Sequence, residues 1–166
     1  IRAEQTLSRM IVDGELDAML TAHVPDVFTE SERVVRLFAD YKAVEQAYFQ
    51  RTGIFPIMHV VVVRKEVLER EPWVARSLVK AFEASLQVAK SDLLYRSSLK
   101  VMLPWLADHV DETVSALGPD YWSYGIEENR HVLSTFLRYS HEQGLAPRVY
   151  EPEEIFAPST VSTFVI

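Results

Sequence analysis

Cysteine is missing altogether from this chain of 166 residues. Its absence removes disulfide frameworks, thiolate nucleophiles and thiolate zinc sites together. Long apolar runs are missing too, none approaching the roughly 20 residues that span a bilayer. The opening IRAEQTLSRM lacks the basic-then-apolar order of a signal peptide. Glycine is scarce, with five residues, and no Gly-rich phosphate loop, G-x-S-x-G elbow or deaminase-type cysteine pattern occurs. Positive charge is in deficit: 17 Lys and Arg stand against 24 Asp and Glu, for a formal charge of -7. Such a surface repels phosphate backbones and anionic lipid, so no nucleic-acid partner is expected. Any anionic ligand requires a local group of Arg or His that works against the overall field.

What is present is ordinary globular material, 48% hydrophobic and 25% charged, enough for one sizeable core. Leu7, Met10 and Ile11 share a helical face, with Gly14 placed as a left-handed cap. Leu16 to Thr21 reads as a short buried strand, and Arg33 to Phe38 fits strand or helix equally. Tyr41 to Arg51 is helical by spacing. Ile57 to Arg64 (IMHVVVVR) has the β-branched run of a strand covered on both faces. Glu71 and Pro72 then open a long helix whose inward stripe is Leu78, Phe82, Ser85, Leu86 and Ala89. Asp108 caps a helix that turns Val110, Val114 and Leu117 inward and stops at Gly118. Another, from about Glu128 to Gln143, buries Val132, Leu133, Phe136 and Leu137, and Gly144 followed by Leu145 fits a Schellman ending.

Two early strands followed mostly by helix make an unbalanced α/β domain, because a sheet worth covering needs several strands. Partner strands are therefore expected from elsewhere, either from absent upstream sequence or from another subunit of a homo-oligomer. The first residue is Ile, and LSRMIVDG already reads as a helix in progress, which fits a fragment.

Four places carry candidate chemistry. His23 follows the first expected strand, where it is either a solvated loop residue or a binding residue at a strand's carboxyl end. His59 heads the valine run. There it is either a core histidine whose ring nitrogens find partners or a general acid tuned from about 6.5 by burial. Arg64 either emerges into solvent or anchors an anion, and Arg51, just before the strand, offers a guanidinium fork for a carboxylate. Tyr121 and Tyr124, in GPDYWSYG, pack a hinge or form an aromatic wall. His131 and His141 lie near glutamates, but neither spacing sets two histidines one turn apart, so no metal site is expected.

LSRMIVDGELDAML, FQRTGIFPIMHVVVVRKEVLEREPWVARSLVKAFEAS, YWSYGIEENRHVLSTFLRYSHEQGL and EEIFAP together resemble the 4,5-dihydroxyphthalate decarboxylase family, over nearly the whole chain. More broadly the chain is similar to type II periplasmic solute-binding proteins. The resemblance implies an α/β, two-lobed architecture around a cleft, of which this chain is the helix-rich C-terminal half. Residues 1–52 then finish the second lobe, and residues 53–166 cross back and return to the first. It also implies non-oxidative decarboxylation of 4,5-dihydroxyphthalate to 3,4-dihydroxybenzoate, without a cofactor, in the cytoplasm. Position and chemistry then make His59 the leading acid/base candidate and His23 the second. Arg51 or Arg64 anchors the retained carboxylate of a small aromatic acid, with Tyr121 and Tyr124 beside the ring. The competing expectation is a non-catalytic solute-binding protein for a small aromatic or pyrimidine ligand.

Overall fold

The computed structural model describes residues 4–161. Residues 1–3 and 162–166 of the expected ranges 1–52 and 53–166 lie outside these. The chain divides into two compact units, Ile1–Glu45 and Gln46–Ile166.

In the first unit, α1 (Leu7–Asp13) starts where the Thr6 hydroxyl accepts the Arg9 N–H at 3.2 Å and ends at Gly14. The short α2 (Val27–Glu30) packs against it. The apolar segment Leu16 to Thr21 between them is irregular, with Leu20 fully exposed. Arg33 to Phe38 is irregular as well. No described residue of this unit is buried.

α3 (Tyr41–Thr52) begins in the first unit's range and ends in the second's. The second unit then contains α4 (Lys65–Arg70), α5 (Val74–Leu94), α6 (Leu106–Leu117), α7 (Ile126–Glu142), α8 (Pro152–Ile155) and a 3-10 turn, Pro158–Thr160. α5 packs against α6 and that turn, and α7 packs against α8. The core consists of Ala75, Leu106, Val110, Ile126, Leu133 and Leu137 with Pro152. The expected stripes are therefore only partly covered. Leu133 and Leu137 are buried, while Phe136 is 63% exposed and Phe82 43% exposed. Helix α5 starts two residues after Pro72, which sits in the turn ahead of it. α7 ends as its sequence leads one to expect: Gly144 has φ 74, the Leu145 N–H reaches Ser140 O at 2.8 Å and the Gly144 N–H reaches His141 O at 2.9 Å. These two bonds make the Schellman pair.

Among the described residues there is neither strand nor sheet. This corrects the α/β expectation and, with it, the two-lobed type II periplasmic-binding-protein-like architecture. The physical reason lies at Ile57 to Arg64 and Leu16 to Thr21. A β-branched run becomes a strand only when a neighbour supplies ladder hydrogen bonds and a surface to pack on. No other described segment offers either. Phe55 to Val63 makes no backbone hydrogen bond among the described residues, and Val60, Val61 and Val62 are 62%, 62% and 89% exposed.

Candidate active site

The segment that carries His59 is fixed at its start by residues far away in sequence. At the end of α3 the Thr52 hydroxyl donates to Tyr48 O at 2.7 Å and accepts the Ile54 N–H at 3.2 Å. The Thr52 carbonyl oxygen lies 2.8 Å from His131 Nε2 of α7, which carries the proton in this bond. Gly53 follows with φ 66, a left-handed conformation that L side chains seldom adopt. It also brings the backbone close to the same imidazole, since a Cβ built there would lie 3.9 Å from His131 Cδ2. Two residues later Phe55 meets Trp122, ring centroids 5.8 Å apart and tilted by 59°. The Trp122 loop is in turn held by Asn129, whose amide donates to Ser123 O at 3.1 Å and Gly125 O at 2.9 Å.

Beyond Phe55 the chain is unsupported. His59 is exposed and makes no hydrogen bond or ion pair among the described residues. It is therefore not a satisfied core histidine in this structure. Arg64 is exposed at the start of α4, where its carbonyl accepts the Val67 N–H at 3.0 Å. Arg51, on the last turn of α3, lies over the Tyr48 ring at 5.6 Å. Tyr121 is half-buried and Tyr124 is 43% exposed. All five residues belong to the second unit, and no hydrogen bond or ion pair joins any two of them among the described residues.

His23 belongs to the first unit. Its N–H reaches the Thr21 hydroxyl at 3.3 Å, and that hydroxyl donates to the His23 carbonyl at 3.0 Å. The exposed ring borders an open depression of about 320 Å³ with Leu7, Met19, Val24 and Asp26. A Thr-x-His turn of this kind fixes the backbone at His23 by local bonds alone.

The strongest electrostatic features lie elsewhere. Arg130 of α7 bonds both Glu127, at 2.6 Å, and Glu153 of α8. Hydrogen bonds to Glu127 and then Glu153 raise the Arg130 pKa, and the bond from Arg130 is the chief cause that lowers the pKa of Glu153. Arg148 clamps Glu154 at 2.6 and 3.0 Å, and Glu154 also accepts the Glu151 N–H at 2.8 Å. These donors push the Glu154 carboxyl down to about 2. Both groups hold α8, not a reacting molecule. Among the described residues no three His, Cys, Asp or Glu side chains gather into a metal-binding group, and no helix is long and apolar enough to cross a membrane.

Sequence reasoning weighed His131 only as a metal ligand and passed over Asn129. The available signal for Asn129 was an Asn four residues after Gly125, at the start of a helix.

No family model matches the chain. Over 163 residues, 98% of its length, it is 38% identical to a 4,5-dihydroxyphthalate decarboxylase of Comamonas testosteroni. The match takes in 49% of that protein, so the chain spans about half the length of the curated relative it matches. Identity at this level over nearly every residue makes the chain similar to about half of that decarboxylase.

Proposed function

We propose that the chain contributes to a non-oxidative aromatic decarboxylase that converts 4,5-dihydroxyphthalate to 3,4-dihydroxybenzoate and carbon dioxide. The observation that carries this reading is the 38% identity over 98% of the chain to a protein of that name. The exposed, unpartnered His59 supports it, because a general acid/base must offer free ring nitrogens to its substrate.

The chemistry needs two proton movements. A base takes the proton of the ring hydroxyl para to the departing carboxylate, and electron density moves to the ipso carbon. An acid delivers a proton to that carbon, forming a C–H bond and breaking aromaticity. The C–C bond to the carboxylate then breaks, its electrons restore the ring and carbon dioxide leaves. The phenoxide regains a proton, so the net reaction consumes one. An imidazole can serve either transfer. In this reading His59 is the first acid/base group and His23 the second. Arg51 or Arg64 holds the retained carboxylate, and Tyr121 and Tyr124 stand beside the ring.

The test is a substrate screen with the intact gene product. 4,5-Dihydroxyphthalate should yield carbon dioxide and 3,4-dihydroxybenzoate in equal amounts, while phthalate, which lacks the para hydroxyl, should yield neither. No product from the dihydroxy acid, or equal rates with phthalate, counts against the proposal.

A further inference from the structure

We propose that Arg36 anchors a carboxylate of a small aromatic acid in the depression it borders in the first unit. This goes beyond the anchor assigned to Arg51 or Arg64 and rests on the decarboxylase reading only for the class of ligand. The depression is open to solvent, has a volume of about 370 Å³ and is lined by Phe28, Val34, Val35 and Ala39 together with Arg36. That volume and apolar lining suit a single-ring ligand.

Arg36 differs from the arginines that pair with carboxylates among the described residues in how it is held. Its guanidinium carbon lies 5.1 Å from the Phe28 ring centroid and 4.8 Å from that of Tyr41. Two rings thus fix one cation by attraction to their faces. Arg9, Arg130, Arg138 and Arg148 spend their donors on carboxylates. The side chain of Arg36 makes no ion pair or hydrogen bond among the described residues. A planar fork whose position is set by aromatic rings, with its N–H groups unspent, matches a carboxylate in geometry and charge.

The other polar groups of the depression are accounted for. The Thr29 hydroxyl donates to Asp26 O at 2.9 Å, and the Ser31 hydroxyl oxygen accepts the Arg33 N–H at 3.3 Å. Glu32 is the one acidic side chain in the lining, and it opposes an anion there. Its presence gives the proposal a second handle.

The experiment measures phthalate binding to the intact gene product by calorimetry, with benzyl alcohol and acetate as controls lacking one half of the ligand's chemistry. Phthalate should bind more tightly than either. Arg36→Gln should weaken it by at least about tenfold, the loss of a charge-assisted pair. Arg36→Lys should fall in between, because it keeps the charge without the fork. Glu32→Gln should tighten binding severalfold. Circular dichroism of each variant separates lost binding from lost folding, and Glu32→Gln decides the matter if Arg36→Gln does not fold. Absence of phthalate binding, affinity unchanged in a folded Arg36→Gln, or, where that variant does not fold, affinity unchanged in Glu32→Gln, overturns the proposal. The decarboxylase reading fails independently: it falls if no carbon dioxide is released even where Arg36 binds phthalate, and it stands if turnover persists with Arg36→Gln unaffected.

Discussion

Helix α7 and the segment from Phe55 to Val63 belong to the same unit, yet their backbones are satisfied in opposite ways. α7 supplies its own hydrogen bonds, closes them with a Schellman pair at Gly144, buries Leu133 and Leu137, and reaches α8 through Arg130. The valine segment makes no backbone hydrogen bond among the described residues and leaves Ile57 to Val62 exposed. A helix completes its bonds locally, whereas a β-branched run depends on a neighbour for them. What the two regions share is one imidazole, since His131 of α7 holds the carbonyl of Thr52 just before the segment begins.

Substitutions on the two sides should separate the regions sharply. Leu137→Ala deletes a side chain that is 6% exposed and should cost about 3 kcal/mol by urea unfolding. Val62→Thr, at 89% exposure, should stay within about 0.5 kcal/mol in the same assay. Equal effects would break the contrast.

A smaller effect sharpens the picture of how α7 ends. Gly144→Ala forces an L side chain to φ 74 and should cost about 1 kcal/mol, read from the same unfolding curves.

The smallest effect concerns acid. Glu154 is held at about 2 in the folded chain, first by the Arg148 hydrogen bonds and next by the Glu151 N–H. A carboxylate depressed on folding contributes stability above its unfolded pKa, near about 4.3, and loses it as pH falls through the folded value. Glu154→Gln should therefore lower Tm slightly near neutrality, where this contribution is complete, and flatten the Tm-versus-pH curve between about pH 4.3 and about 2. Because the pair is exposed, added salt should shrink the difference.

The legible parts of this fold are those that a few neighbouring residues decide. Gly14, Gly118 and Gly144 end helices where the sequence puts them, because a cap is settled within one turn. Leu133 and Leu137 are buried as the spacing of α7 leads one to expect. The valine run misleads because its propensity describes a surface to pack on, and the described residues provide none. α4 escapes notice for a different reason: KEVLER has few apolar residues to set a period. In the candidate site, His59, His23, Arg51 and Arg64 are singled out by chemistry and by position around expected strands, which the described residues do not contain. The roles of His131 and Arg36 do not follow from residue type. The first depends on a bond across 79 positions, and the second on two rings converging on one cation.

The central functional claim is that the unpartnered imidazole of His59 moves the proton in decarboxylation. It is tested most directly by kcat/KM for 4,5-dihydroxyphthalate in the intact gene product carrying His59→Gln. We expect a loss of at least about a hundredfold, the usual worth of a positioned acid/base group. Activity within about threefold of the unaltered protein, under about 0.7 kcal/mol of barrier, would contradict it.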